Sequence, residues 1–587
     1  MTTQLITNYF RLHNVNQFKE SINETANSVY YVFAARHTPY AEGDGVVENI
    51  TNNIENTLTV PFEEMVFGKR VSANDVAVMI PRYEWTYNTR YPAYRSNEDL
   101  NNKEFFVYVN EGSLYTVFKC LDNNGNAQSI VAPSVTETAP DDEYYSTYDG
   151  YQWKFMYSIT PSQFQKFATA DLIPVFANTQ VVGNAVSGAI EVIGVEYRGS
   201  NYNTQLTGTF ESDDLRIGGD STLYYIANNA SSAPNFYTGS YIYLSSGIGA
   251  GQGRRIVDYY VIGGAKTIVL EEPFIVNPVG GTEYEITPGV VIEGDGEGAV
   301  ARAIVNVAAA NVISRIQIIE RGSGYSWASA TVTGNTGGIS NSATLRIDLS
   351  PKGGHGSNPE YELMGTSLAI SVTFANNEVG TIPTENDYRT YGLIKDPLFA
   401  NVALTLTSTT GSFTVGELVT QNVSNATGYV TEWDTISTLS LTNVSGVFVT
   451  SQIVSGAASN AEGTVSTYQI NGQAKNFNTF DQRYRYTFLP LSGTFQPDEV
   501  VYQTDLQLAN AIFHSNTSTN LYVTHVKGVL NTGNTLIGLN SSATANLLFA
   551  YAPDLVNQSG EVIYIENESP ITRSNAQSET IKLILQF

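Results

Sequence analysis

One pattern is written twice between residues 400 and 553. Gly411, Phe413, Glu417, Val419, Gln421, Gly446, Gly456 and Ala461 return as Gly493, Phe495, Glu499, Val501, Gln503, Gly528, Gly538 and Ala543, each pair 82 positions apart with no slip in register. Two copies of one pattern specify two copies of one supersecondary module, each too small to bury much apolar surface without a neighbour. We read about 411–465 and 493–547 as tandem small β modules and 400–553 as one insertion that carries both.

Composition extends this β reading to the whole chain. Charged residues are only 15% of the 587, whereas Tyr (37) and Gly (49) are abundant, which favours turn-rich strands over helices held by surface ion pairs. The length exceeds one ordinary core, so roughly three or four domains are expected. Against 56 acidic groups stand 30 basic ones, a net charge of −26, which argues against nucleic acid and anionic membranes as partners. Cys120 is the single cysteine, so no intrachain disulfide forms, and its neighbours Val117, Phe118 and Leu121 predict a buried, inert thiol. No basic start followed by a long apolar run is present, and no window approaches about 18 apolar residues, so neither export nor membrane insertion is expected. A soluble chain that folds in a reducing cytosol fits these features.

Along the chain, Val15, Phe18 and Ile22 predict a helix over 14–26. Strands are predicted at 28–36, 76–80, 104–109, 114–121 and 153–159. Thr160 and Pro161 have the chemistry of an N-cap and first helical position for a helix over 162–167. From about 185 the texture shifts to short apolar runs punctuated by Gly. Here 193–202 (IGVEYRGSNY) is echoed by 316–325 (IQIIERGSGY), with Arg198, Gly199 and Tyr202 matched by Arg321, Gly322 and Tyr325. The organisation expected is a β-rich core over 1–184, an inserted β domain at 185–345, core again at 346–399, the tandem insertion at 400–553, and C-terminal core strands at 554–587. The fold class is all-β with few helices, a layered β-sandwich core interrupted by two inserted small β domains.

Residues 559–587 (SGEVIYIENESPITRSNAQSETIKLILQF) read as two strands, with Val562, Ile563, Tyr564 and Ile565 in the first and 581–587 in the second, ending on Phe587. So apolar an end is expected to dock in a core or an interface. This stretch resembles the C-terminal end of the dimeric baseplate wedge protein of T-even-like contractile-tailed phages. Further pieces resemble that family in chain order. They are 30–37; 79–91 (MIPRYEWTYNTRY), carried with Pro92 by Pro81, Arg82, Trp85, Arg90 and Tyr91; 117–122 (VFKCLD); Asp149, Gly150 and Tyr151 with Trp153; and 382–397, matched at Pro383, Arg389, Ile394 and Pro397. The resemblance covers roughly 250 residues in discontinuous pieces and leaves 185–345 and 400–553 without counterpart. It implies a homodimer seated in the baseplate wedge of the virion, assembled in the host cytoplasm, that contacts other wedge proteins and takes part in sheath-contraction triggering without catalysis or cofactors.

His13, His37, His355, His514 and His525 show no zinc-ligand spacing, so no metal is expected. Glu293, Asp295 and Glu297 in EGDGEG lack the loop length and terminal Glu of an EF-hand, and read as a solvated turn. Gly247, Gly249, Gly251 and Gly253 precede a strand-like run rather than a helix, so a hairpin turn is predicted in place of a phosphate cradle. Gly322-Ser323-Gly324 lacks the nucleophile-elbow pattern. Asp141, Asp142 and Glu143 read as an acidic loop rather than a glycosidase pair. No catalytic, cofactor or metal residue is assigned. The Tyr, Trp and Arg of 82–95 are the types that dominate interface hot spots, although half-buried loop tyrosines would read the same way. The interface candidates are Arg82, Tyr83, Trp85, Tyr87, Arg90, Tyr91, Tyr564 and Phe587. The alternative reading is a receptor-binding or fibre-like virion protein that recognises host-surface glycans through its Gly-punctuated β modules.

Overall fold

A computed structural model describes residues 6–24, 28–54, 59–135, 145–202, 205–211, 222–306, 309, 311–334, 341–375, 382–400, 402–445, 447–469, 478–574 and 576–587. Gly446 of the repeat, Ala26 of the expected helix and the acidic run Asp141, Asp142 and Glu143 lie outside them. The protein is all-β, with several sheets and two closed six-stranded barrels. It divides into two compact units, Met1–Leu12 with Val78–Thr366, and His13–Ala77 with Ser367–Phe587. Residues 78–184 and 185–345 thus share one unit.

In the first unit, Phe106–Asn110, Tyr115–Asn123, Tyr151–Ile159 and Tyr145–Ser146 form an antiparallel sheet in that order. Trp153, Phe118 and Cys120 are fully buried beside it, and burial pushes the Cys120 thiol well up. The helix Pro161–Phe167 begins as its sequence dictates. Thr160 accepts from Gln163 N while the Gln163 side chain accepts from Thr160 N, so two otherwise orphaned amides are satisfied. A second sheet centres on Glu283–Gly294 and Glu297–Asn306, and includes the hairpin Ser240–Ser246 to Gly253–Ile262 that the glycine run closes. The internal echo is a glycine–tyrosine turn used twice. Gly199 and Gly322 have φ of +60° and +63°, and a Cβ on either would collide with the ring of Tyr202 or Tyr325, both buried in one cluster.

In the second unit, five strands pair in the order Thr479–Asp481, Met65–Arg70, Tyr30–Ala35, Asn386–Lys395 and Glu561–Arg573. Ser367–Phe374 pairs with Glu579–Gln586. The helix spans Asn8–Asn23, starting six residues before the sequence pattern, because Thr7 Oγ1 accepts from Phe10 N and supplies an N-cap that the apolar spacing does not register.

The repeat folds as two barrels with one strand order. The first closes through Val402–Thr410, Thr438–Ser445, Ala426–Trp433, Leu418–Gln421, Ile453–Gly456 and Glu462–Gln469. The second closes through Tyr484–Ser492, Asn520–Lys527, Asn510–Asn516, Val500–Tyr502, Thr535–Gly538 and Thr544–Tyr551. The chain enters and leaves this pair side by side, since Ala400 N donates to Asp554 O at 2.8 Å and Val556 N to Leu398 O at 2.8 Å. The link between the barrels is more than a tether. Thr479–Asp481 joins the core sheet against Met65–Arg70, with Phe480 fully buried against Tyr31 and Phe399.

Candidate functional site

The segment 82–95 folds back along its sheet, and its side chains divide between packing and solvent. Arg82 donates from Nε to the Tyr108 hydroxyl at 3.0 Å and from Nη1 to Thr169 O at 3.0 Å, with its guanidinium over the Phe164 ring at 5.3 Å. Tyr83 is half-buried on Phe106, and Trp85 Nε1 donates to Ser129 Oγ at 3.1 Å. Tyr91 is fully buried, 5.6 Å from the Trp153 ring, and its hydroxyl accepts from Thr86 N at 2.6 Å. Its ring belongs to the core and is not an exposed contact. Tyr87, 69% exposed, and Arg90, whose Nε donates to Asn126 O at 3.1 Å, are the two candidates here presented to solvent.

The C-terminal candidates lie in the second unit. Tyr564 is half-buried on Glu561–Arg573, the edge of the five-stranded sheet, and its hydroxyl donates to Glu566. Phe587 packs 5.9 Å from Phe18, which meets Tyr30 at 5.3 Å. This docking ties the last residue to the helix that precedes the core sheet.

Sequence spacing gave no sign of the most charged constellation. Lys119 and Lys154 are directly opposite each other on paired strands, a like-charge arrangement that costs stability unless acids intervene. Two acids do. Glu191 Oε1 is 3.1 Å from Lys154 Nζ and 3.5 Å from Lys119 Nζ, while Glu362 contacts Lys119 directly. Gly356 N donates to Glu362 Oε2 at 2.7 Å. His355 completes the cluster, with Nδ1 2.9 Å from Glu362 Oε1 and Nε2 2.9 Å from Phe155 O. Burial pushes both acids up, yet Lys119 and Lys154 outweigh it at Glu191, which stays well below its ordinary range, and Lys119 with His355 outweighs it at Glu362, which falls to about 2. Burial draws Lys154 down to about 8. Lys154, Glu191 and His355 reach the wall of a cavity of about 490 Å³. Two buried ammoniums against two buried carboxylates amount to a neutral lock between four chain segments. Each partner is indispensable once the others are buried.

A second unforeseen meeting is of histidines. His37 and His514 stand 4.9 Å apart between ring centroids, and His37 and His525 6.2 Å. His37 Nδ1 is 2.6 Å from Asp498 Oδ1 and its Nε2 is 2.6 Å from Thr524 Oγ1. His514 stacks beside Tyr388, and Arg483 Nη1 is 3.4 Å from its Nδ1. Among the described residues no group of His, Cys, Asp or Glu has metal-binding geometry. The three rings join the second barrel to the core sheet of the second unit.

Compared with known proteins, the chain matches no family model, and the comparison with curated proteins gives no match.

Proposed function

We propose that the protein is a structural subunit of a phage tail baseplate wedge, a homodimer that bridges neighbouring wedge proteins during assembly and sheath-contraction triggering. One observation carries this reading. Within each unit, the segments that resemble the wedge family are scattered in sequence but neighbours in space. The matched pieces 30–37, 382–397 and 559–587 supply Tyr30–Ala35, Asn386–Lys395 and Glu561–Arg573, three consecutive strands of one sheet. In the first unit, 117–122 and 149–153 contribute to the paired strands Tyr115–Asn123 and Tyr151–Ile159, against which Tyr91 packs. A resemblance due to chance has no reason to gather in this way.

The work is then done by surfaces rather than by bond chemistry. Tyr87 and Arg90 offer an aromatic–cationic contact. The outer edge of Glu561–Arg573, with Ile563 and Ile571 exposed, offers unpaired backbone for a second strand. Light scattering on the purified chain tests the reading. A mass of about twice 63.9 kDa supports it, and a mass of about three times that value overturns it in favour of a trimeric, fibre-like receptor-binding protein.

A further inference from the structure

Asp295 occupies the turn of the hairpin joining Glu283–Gly294 to Glu297–Asn306, and its carboxylate clasps another loop. Oδ1 accepts from Ser326 N at 2.8 Å and Trp327 N at 3.1 Å, and Oδ2 accepts from the Ser326 hydroxyl. Those bonds, the Ser326 hydroxyl first, hold the carboxyl at about 2. The flanking glycines are required by the same contact. A Cβ on Gly294 would lie 2.6 Å from Trp327 O, and one on Gly296 2.5 Å from Ser323 O. Beneath the loop, Tyr325 is buried and its N–H donates to Gly188 O at 3.0 Å. The backbone of 325–327 is therefore fixed from three sides. Its tryptophan ring nevertheless faces water, at 57% exposure, and is the one exposed ring among the four tryptophans.

Trp327 lines a groove of about 1110 Å³ within the first unit. Tyr9, 61% exposed, lines it too, steadied by an edge-to-face contact with Tyr361 at 5.7 Å and by Asn8, whose amide donates to Asn101 Oδ1. Asn97, Asp99 and Asn101 bring amide and carboxylate groups to the same wall. Arg95 and Lys352 are balanced by Glu98 and Asp99, so the lining carries no cationic surplus to recruit phosphate or sulfate. The amides and carboxylates would go unmatched against a purely apolar ligand.

We propose that this groove binds a neutral oligosaccharide. Sugar rings combine an apolar C–H face with hydroxyls that both donate and accept, which suits aromatic platforms set among amides and carboxylates. The clasp from Asp295 fixes the Trp327 backbone before binding, so its ring offers contact area at little ordering cost. The proposal stands apart from the wedge reading, since an assembly protein and a fibre protein both fold around the same groove.

Calorimetric titration of the full chain with neutral hexasaccharides (maltohexaose, cellohexaose, chitohexaose and mannohexaose) tests it. Saturable binding to at least one sugar is expected, weakened roughly tenfold or more in Trp327→Ala and in Tyr9→Ala. Both rings are exposed, so both variants should keep the wild-type Tm. Asp295→Ala should weaken binding by a smaller factor, because the platform is loosened rather than removed. No saturable binding of any of the four sugars to the wild-type chain overturns the proposal, as expected if the groove serves a protein partner. Binding that neither Trp327→Ala nor Tyr9→Ala weakens overturns it as well.

Discussion

The carboxylate of Glu417 accepts from both the amide and the hydroxyl of Ser459, at 2.8 and 2.7 Å, and 82 positions later Glu499 holds Ser541 in the same way, at 2.9 and 2.6 Å. Each acid also accepts from a backbone amide three residues earlier, in the turn that leads into its strand, Thr414 or Gln496. Gly456 and Gly538 keep the space open, since a Cβ on either would lie 2.7 Å from the carboxylate. Gln421 and Gln503 clasp the next turn, exchanging hydrogen bonds with the backbone of Val449 and Asn531. Most of the repeated polar and glycine positions are thus parts of one hydrogen-bonded knot that closes each barrel.

Breaking a knot should be costly. Glu499→Ala orphans several buried donors and is expected to destabilise the chain by about 2–3 kcal/mol, with Ser541→Ala nearer 1 kcal/mol. The pair should couple in a double-mutant cycle read by urea unfolding. Burial pushes both glutamates up, but the Ser459 and Ser541 hydroxyls and the backbone donors win, so both carboxyls sit below the ordinary 4.5. Their contribution is complete above pH 4.5 and is lost as pH falls through the folded values. Glu499→Gln should blunt that acid loss.

Phe480 anchors the linker between barrels over a bare backbone. A Cβ on Gly68 would lie 2.4 Å from a carbon of the Phe480 ring. Gly68→Ala should therefore displace the ring and cost about 1–3 kcal/mol through overpacking, and Phe480→Ala about 3–5 kcal/mol through a cavity. Thermal unfolding would show both losses, and the double variant should fall short of their sum.

In the buried charge lock, Glu191→Ala leaves two ammoniums facing each other without their shared acid. The expected loss is about 3–5 kcal/mol. Lys154→Met combined with Glu191→Leu removes the pair together and should recover much of it. Chemical denaturation of the three chains distinguishes a missing partner from missing volume.

The histidine cluster predicts sensitivity to mild acid. Burial pushes His514 well below the ordinary imidazole range, helped by the charge of Arg483, and burial lowers His525 to about 4. The unfolded chain takes up these protons near pH 6.5 and the folded chain only far lower. Stability supplied by the neutral rings is present above about pH 6.5 and is lost as pH falls toward 4. Each ring should contribute a slope approaching about 1.4 kcal/mol per pH unit in that window. His525→Gln should flatten it, as measured by urea midpoints from pH 7 to 4.

Much of this protein is written locally. Alternating and aromatic runs gave the strands at Tyr115–Asn123 and Tyr151–Ile159, Thr160 and Pro161 gave a capped helix, and the 82-residue register gave two modules of one kind. Such features depend on side-chain period, turn chemistry and capping, which neighbours in sequence decide. The repeat also flagged Glu417 and Glu499, although their role as clasps needed the barrel to bring Ser459 and Ser541 into reach. Tertiary structure alone decided which remote groups meet. Lys119 finds Glu362, His37 finds His514, Phe480 finds Gly68, and Trp327 comes to line a groove with Tyr9. Those meetings depend on strand order and register between segments far apart in the chain. A one-residue slip would turn each side chain to the opposite face, and no local pattern records which register the whole core selects.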